Sequence, residues 1–340
     1  MKSKKDKLSK YCPKFIIDIF SKLDSNDDKY LKWNYIKVLK FLNTYSYEDL
    51  YSKKDSKEII SITQGEYDYT YFNICFLNDV LKNIIYVLAK GAVPFVDIRS
   101  KDDEKNIWEC FFKQPFVSSE QIKLKEFKNL DKNIVASNSI KPGFKSIYDN
   151  NELDLWCKAY NNFVVFNDDT KKYILNEYNT ILKKDMRVLG VLCRGTDYVT
   201  LKPKNHPIQP TVKEVIDLAH KKIKEFNLEY IYLATDEKAI EEKFRKEFPG
   251  KILINKRTYY DEQYYNNEDI TLIGQVKFNR ENDDYYKGLE YLSSLYILSK
   301  CNVLIGGNCG GSCAALYMNN GKYEDWDIFN LGLYGVDDIN

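Results

Sequence analysis

The stretch "RVLGVLCRGTDYVT", residues 187–200, decides the fold. From Val188 to Cys193 it is apolar apart from one glycine and carries no charge. Such a run, bounded by charges and rich in branched aliphatics, reads as a strand covered on both faces, as a parallel sheet requires. Charge returns abruptly at Arg194, followed by Gly195, Thr196 and Asp197. The strand therefore ends in a polar loop whose tight turn falls at Gly195. In open α/β sheets, loops at the carboxyl ends of strands are where ligands bind.

The pattern repeats downstream. In "TVKEVIDLAHKKIKEF", residues 211–226, Val212, Ile216, Ala219, Ile223 and Phe226 recur at helical spacing along one face. "YIYLATD" predicts a second strand, "EKAIEEKFRKEF" a second helix and "KILIN" a third strand. "YYKGLEYLSSLYILSKC" predicts another helix, "NVLIGG" another strand and "GGSCAALYMN" the start of a further helix. Strand, loop and helix in alternation predict a Rossmann-like parallel sheet. Upstream, "EIISIT", the helix "NICFLNDVLKNIIYVLAKG" and "AVPFVDI" form a second βαβ crossover. The expected architecture is α/β, two Rossmann-like domains facing a cleft. Residues 1–185 are the first domain with a helical N-terminal extension, and residues 186–340 are the second. "LKKDM", just before Arg187, marks the hinge.

Composition excludes several classes. The 340 residues are 44% hydrophobic and 30% charged with a formal net charge of +1, so no global field recruits nucleic acid. No apolar run approaches the roughly 18 residues of a membrane helix. The lysine-rich start has no apolar stretch behind it that would make a leader, so a cytoplasmic protein is expected. A basic segment docking peripherally on a membrane is the alternative for residues 1–55, and Asp18, Asp24, Asp27 and Asp28 weaken it. The eight cysteines show neither CxxC nor a zinc spacing and read as reduced thiols, several of them core. Abundant Lys, Asn, Ile and Tyr point to an AT-rich, bacterial genome. GxGxxG and GxxxxGK[ST] are both missing, which argues against dinucleotide oxidoreductases and P-loop NTPases.

Three loops can carry chemistry, and all leave strand ends on one edge of the second sheet. Arg194 offers a planar fork of donors suited to a diphosphate, against a simple salt bridge with Asp197. Thr235 and Asp236, in "ATDE", can bond a sugar or base edge, or Asp236 can cap the helix that follows. "GGNCGGSCAAL", residues 306–316, offers the backbone of Asn308, Cys309, Gly310 and Gly311 at a helix N-terminus, with the Ser312 hydroxyl beside it. Close helix-to-strand packing gives the same composition. A metal is not expected: the acidic pair of "DWD", Asp325 and Asp327, lies in the C-terminal tail rather than at one of these loops.

In order and spacing, "CRGTDY", "HPI", "IYLATDE" and "LYILSKCNVLIGGNCGGSCAALYM" resemble the fucosyltransferase superfamily, especially the α1,6-fucosyltransferases and their rhizobial relatives, with the bacterial α1,2-fucosyltransferases more distant. The resemblance covers residues 188–320. It implies a GT-B fold, with residues 1–185 as the acceptor-side domain and residues 186–340 as the nucleotide-sugar donor domain, and a metal-independent, inverting glycosyltransferase with no cofactor, moving fucose from GDP-fucose to a glycan hydroxyl. By motif position Arg194 holds the diphosphate, Asp236 is the aspartate of the second motif, Cys309 and Gly310 replace a serine pair, and His206 and Pro207 match a histidine-proline. Three positions depart from the pattern. Leu192 stands where relatives keep a histidine, Ser294 where an acid reads guanine, and Lys202 near a carboxylate proposed as base. Glu290, one turn before Ser294, reaches toward the same space. An attacking hydroxyl still needs a base, for which Glu66, Asp197 and His206 are candidates. The alternatives are transfer from another GDP- or UDP-sugar, or a non-catalytic nucleotide-sugar or carbohydrate binder. Tyr67, Tyr69, Tyr71 and Trp108 are candidate sugar-stacking side chains.

Overall fold

The computed structural model describes residues 59–63, 72–89, 92–99, 105–115, 128–129, 142–200, 202, 204–260 and 276–335, with residues 89, 128, 129, 196 and 197 described in backbone only. The chain divides into two compact units. The first comprises Met1–Thr70, Phe76–Pro142 and Lys158–Val165, and the second Tyr71–Cys75, Gly143–Cys157 and Phe166–Asn340. The second unit thus begins well before the hinge expected at residue 185. Amphipathic helices α3 (Asn150–Phe163) and α4 (Asp168–Ile181) precede that hinge, and α4 is counted whole with the second unit. Tyr178 of α4 packs edge-on against Tyr296 with ring centroids 5.7 Å apart, an apolar contact that holds it there.

In the first unit, β1 (Ile59–Ile62), α1 (Ile74–Ala89) and β2 (Val93–Val96) form the expected crossover. The two strands pair in parallel, and β3 (Lys128–Asn129) pairs in parallel on the far side of β1. Asn106 caps the short helix α2 (Ile107–Phe111) by accepting from the Trp108 amide. Trp108 is fully buried and its indole N–H donates to the Lys113 carbonyl at 3.0 Å, so it is a core residue and no sugar-stacking surface.

The second unit carries a five-stranded parallel sheet of β4 (Val188–Leu192), β5 (Tyr230–Ala234), β6 (Ile252–Leu253), β7 (Val303–Gly307) and β8 (Asp325–Phe329). Across the sheet the order is β6-β5-β4-β7-β8. One face is covered by α6 (Val212–Phe226) and α7 (Lys238–Glu247), the other by α8 (Asp283–Leu298) and α9 (Gly310–Asn319). Helix α6 starts at a capping box, Thr211 with Glu214, and stops at Asn227 in the left-handed region at φ 51°. Its apolar face joins Leu189, Val191, Ile231, Leu233, Val303 and Ile305 in one cluster. Each such side chain, fully buried, contributes about 1.5–3 kcal/mol.

Strand β8 extends beyond the sequence expectation, which left residues 325–327 in a tail. Lys222 of α6 explains the placement: its ammonium pairs with Asp325 at 2.5 Å and Asp327 at 3.6 Å, offsetting the repulsion between two carboxylates on an edge strand. Among the described residues no helix is long and apolar enough to cross a membrane.

Candidate active site

From β4 the chain steps outward through β5 to β6, then returns to the other side of β4 for β7 and β8. The order therefore reverses between β4 and β7. At such a switch point the two loops leave in opposite directions and open a crevice at the carboxyl edge. Arg194 leaves β4 there, and the turn into α9 leaves β7.

The strands stay close because of a glycine. Leu192 lies opposite Gly306, and a Cβ on Gly306 would sit 2.5 Å from the Leu192 carbonyl oxygen. Packing also accounts for the later glycines of this turn. A Cβ on Gly310 would come 2.5 Å from Ile74 Cγ2, and one on Gly311 2.9 Å from Leu192 Cδ1. Cys309, the N-cap of α9, is extended and its side chain does not cap the backbone of the first turn. The helix opens with backbone amides at the positive end of its dipole.

Side chains around this turn are committed to holding it. Asn308 is buried, donates from Nδ2 to the Phe144 carbonyl at 3.2 Å and accepts at its own carbonyl from Gln209 Nε2 at 2.9 Å. Ser312, expected to add a hydroxyl to the site, is fully buried and donates it to the Gly307 carbonyl at 2.7 Å. Its role is to close the turn, because the proton an anion would need already points at the protein. Cys309 is buried with its sulfur 3.6 Å from Ser312 Oγ. Burial pushes the Cys193 thiol up to about 12, which makes it an inert core residue.

The first two motifs are joined. The Gly195 amide donates to Asp236 Oδ1 at 3.3 Å, so the loops after β4 and β5 are tied at the sheet edge. Asp236 does not cap α7: the N-cap is Glu237, which makes no side-chain cap bond. A Cβ on Gly195 would come 2.3 Å from the Glu237 carboxyl carbon, so glycine here leaves room for that acid. Thr235 is buried, and its Oγ1 accepts from the Glu237 amide at 3.4 Å.

After Gly195 the chain forms a short helix, α5 (Thr196–Thr200), where the sequence suggested an open loop. The helix brings Tyr198 under Arg194, with the guanidinium carbon 4.1 Å from the ring centroid. Stacking fixes the plane of the arginine fork. Tyr198 in turn meets His206 edge-on, ring centroids 5.3 Å apart. His206 Nδ1 lies 3.1 Å from the Lys204 carbonyl oxygen. A carbonyl only accepts, so Nδ1 carries the hydrogen and, in the neutral ring, Nε2 is the basic nitrogen.

The His206 loop is stitched to the C-terminal segment. Asn205 donates to the Tyr334 carbonyl, Tyr334 to the His206 carbonyl and Ile208 to the Gly332 carbonyl, at 2.9, 2.9 and 3.0 Å. On α8, Tyr291 belongs to the same neighbourhood. Burial pushes its hydroxyl up, Cys309 adds to the rise and the Arg194 charge pulls it back. Sequence reading missed Tyr198 and Tyr291. Tyr198 left a trace, four residues after Arg194 at helical spacing, and Tyr291 left none.

Glu290 does not reach the site as a free acid. It is buried, accepts from Arg280 Nη1 at 2.6 Å and from the Thr258 amide at 3.1 Å. Ser294 is likewise engaged, donating to Asn255 Oδ1 at 3.1 Å and the Glu290 carbonyl at 3.0 Å. Glu66 lies outside the described residues, as do Tyr67, Tyr69 and Tyr71, and the Asp197 side chain is outside them too. Among the described residues no group of three or more His, Cys, Asp or Glu side chains is placed to hold a metal ion.

No protein-family model matches the sequence, and no curated protein matches it. Among solved structures, the chain is similar to NodZ α-1,6-fucosyltransferase soaked with GDP-fucose, at 12% identity over 83% of this chain and 98% of that one, TM-score 0.49. It is similar to fucosyltransferase NodZ from Bradyrhizobium at 14% identity over 76% and 93% of the two chains, TM-score 0.46. POFUT1 in complex with GDP matches at 9% identity over 83% of this chain and 100% of that one, TM-score 0.49.

Proposed function

We propose that the chain is a glycosyltransferase that moves fucose from GDP-fucose to a glycan hydroxyl. The observation that carries this reading is the switch point between β4 and β7, where a stacked arginine and a helix N-terminus leave neighbouring strands. Both attract a diphosphate, one through paired N–H donors and the other through backbone amides. The motif order that resembles fucosyltransferases supplies the sugar and the base. The same reading takes the enzyme as bacterial and cytoplasmic, working without a metal.

In the transfer an acceptor oxygen bonds to the anomeric carbon as the bond from that carbon to the diphosphate oxygen breaks. The departing oxygen takes the electron pair, and Arg194 with the α9 amides stabilises the charge. The acceptor proton passes to a base. His206 is one candidate, with Nε2 basic and its ring held through Nδ1; Glu66 and Asp197 are the others. Single substitutions separate them. Replacing the base by Gln or Asn lowers kcat by roughly 10²–10⁴ with nucleotide affinity kept.

Transfer assays on Arg194→Ala test the phosphate role directly. Activity is expected to vanish, and Arg194→Lys to restore little, because an ammonium cannot reproduce the fork or its stacking. Turnover at the parent rate in folded Arg194→Ala would sink the assignment. A binder without catalysis is distinguished by neither hydrolysing the donor nor transferring its sugar to a glycan array.

A further inference from the structure

The segment following β6 runs along the same carboxyl edge as the loops from β4 and β5, and its backbone is pinned at successive points. The Lys256 amide donates to Glu177 Oε2 at 2.8 Å, the Thr258 amide to Glu290 Oε2 at 3.1 Å, and the Tyr260 amide to the Asp236 carbonyl at 2.9 Å. Asn255 is buried, donating from Nδ2 to the Lys256 and Glu290 carbonyls and accepting at Oδ1 from Tyr232 and Ser294. Arg257 lies between these anchors.

Its side chain has no such fastening. Arg257 is half-buried, its Nε is buried, and that nitrogen makes no hydrogen bond among the described residues. Tyr259 lies under the guanidinium with its ring centroid 6.0 Å away. Burial pushes the Tyr260 hydroxyl up, Asp236 adds to the rise, and the Arg257 charge opposes both, so Arg257 acts on a ring that also feels the second motif. A pinned backbone thus presents a cation with an unmatched buried donor, three residues before the amide that bonds the Asp236 carbonyl. Such an arrangement suits a planar acceptor pair on a ligand.

Resting on the GDP-sugar reading above, we propose that Arg257 selects the donor's base, donating to N7 and O6 on the Hoogsteen edge of guanine. Arginine matches that pair through two parallel donors, whereas adenine places an amino donor where O6 would be. No carboxylate at Ser294 is then needed.

Binding of five nucleotides to the full chain, measured by calorimetry, tests this. GDP and IDP should bind within about three-fold of each other, since inosine keeps N7 and O6 and lacks only the 2-amino group. 7-deaza-GDP, ADP and UDP should each bind roughly ten-fold or more weakly. Arg257→Gln should weaken GDP by roughly ten-fold and remove the penalty for 7-deaza-GDP. Arg257→Lys should keep part of the affinity but lose the N7 dependence. IDP far weaker than GDP, with 7-deaza-GDP equal to it, overturns the assignment from the parent protein alone. So does an Arg257→Gln variant that keeps the parent's ratio of GDP to 7-deaza-GDP. A chain that binds GDP in either of those ways leaves the glycosyltransferase reading standing, whereas one that binds none of the five overturns both.

Discussion

On the α6–α7 face of the five-stranded sheet, Leu189, Val191, Ile231, Leu233 and Ile305 meet Val215, Ala219, Ile240 and Phe244 in an apolar cluster. On the α8 face, the next residue along β5, Tyr232, bonds Asn255, and Asn255 bonds on to Ser294 and Glu290. The same strands thus bury two kinds of surface. Apolar burial is non-directional and depends on volume and area. A buried hydrogen-bond network is directional, and it fixes where a segment lies as well as whether it folds. The first face holds the unit together. The second fixes residues 255–260 beside the sheet edge where the candidate donor site lies.

Substitutions on the two faces should separate these roles. Leu233→Ala is expected to have the largest effect, a loss of about 2–5 kcal/mol in denaturant unfolding, with nucleotide affinity of the folded fraction unchanged. A large drop in that affinity would show that the apolar face also shapes the site. Asn255→Ala should cost less, about 1–3 kcal/mol, by leaving the Tyr232 hydroxyl and the Glu290 carbonyl buried with fewer partners. It should nonetheless weaken GDP binding several-fold, and affinity equal to the parent's would break the comparison.

The smallest effect belongs to Glu241 on α7. Burial alone would raise its carboxyl, but hydrogen bonds from Lys238, Tyr259 and Arg245 outweigh it and hold the group at about 2. A carboxylate held below its unfolded value stabilises the fold above that value, and the contribution fades as pH falls from 4.5 toward 2. Its cationic partners are exposed and screened, so Glu241→Gln should cost about 1 kcal/mol at neutral pH. The gap from the parent should shrink progressively below pH 4.5 and close near pH 2 in thermal melts, and a gap that persists there would deny the ion pairs this role.

Much of the second unit was legible because strands covered on both faces leave continuous apolar runs and their helices leave spaced ones. Edge strand β8 was not: "DWDIF" alternates with charges, and the cation that pairs with them, Lys222, lies about a hundred positions earlier. The loops were located correctly from their glycines and polar ends. What each side chain does there was harder to read, since partners come from elsewhere in the fold. Ser312 spends its proton on Gly307, and Glu290 spends its charge on Arg280. Arg257 drew no notice in sequence, being one basic residue in "NKRTYY" with no periodicity around it.

The three backbone bonds between residues 205–208 and 332–334 carry a consequence for the order of assembly. Strand β4 and α6 are local in sequence and can form early during synthesis, but the loop joining them acquires this ladder only when a segment far downstream has been made. The ring of His206, and the tyrosine it meets under Arg194, therefore become fixed late. A nascent chain can be well folded in its sheet while the loop that carries His206 is still unfinished.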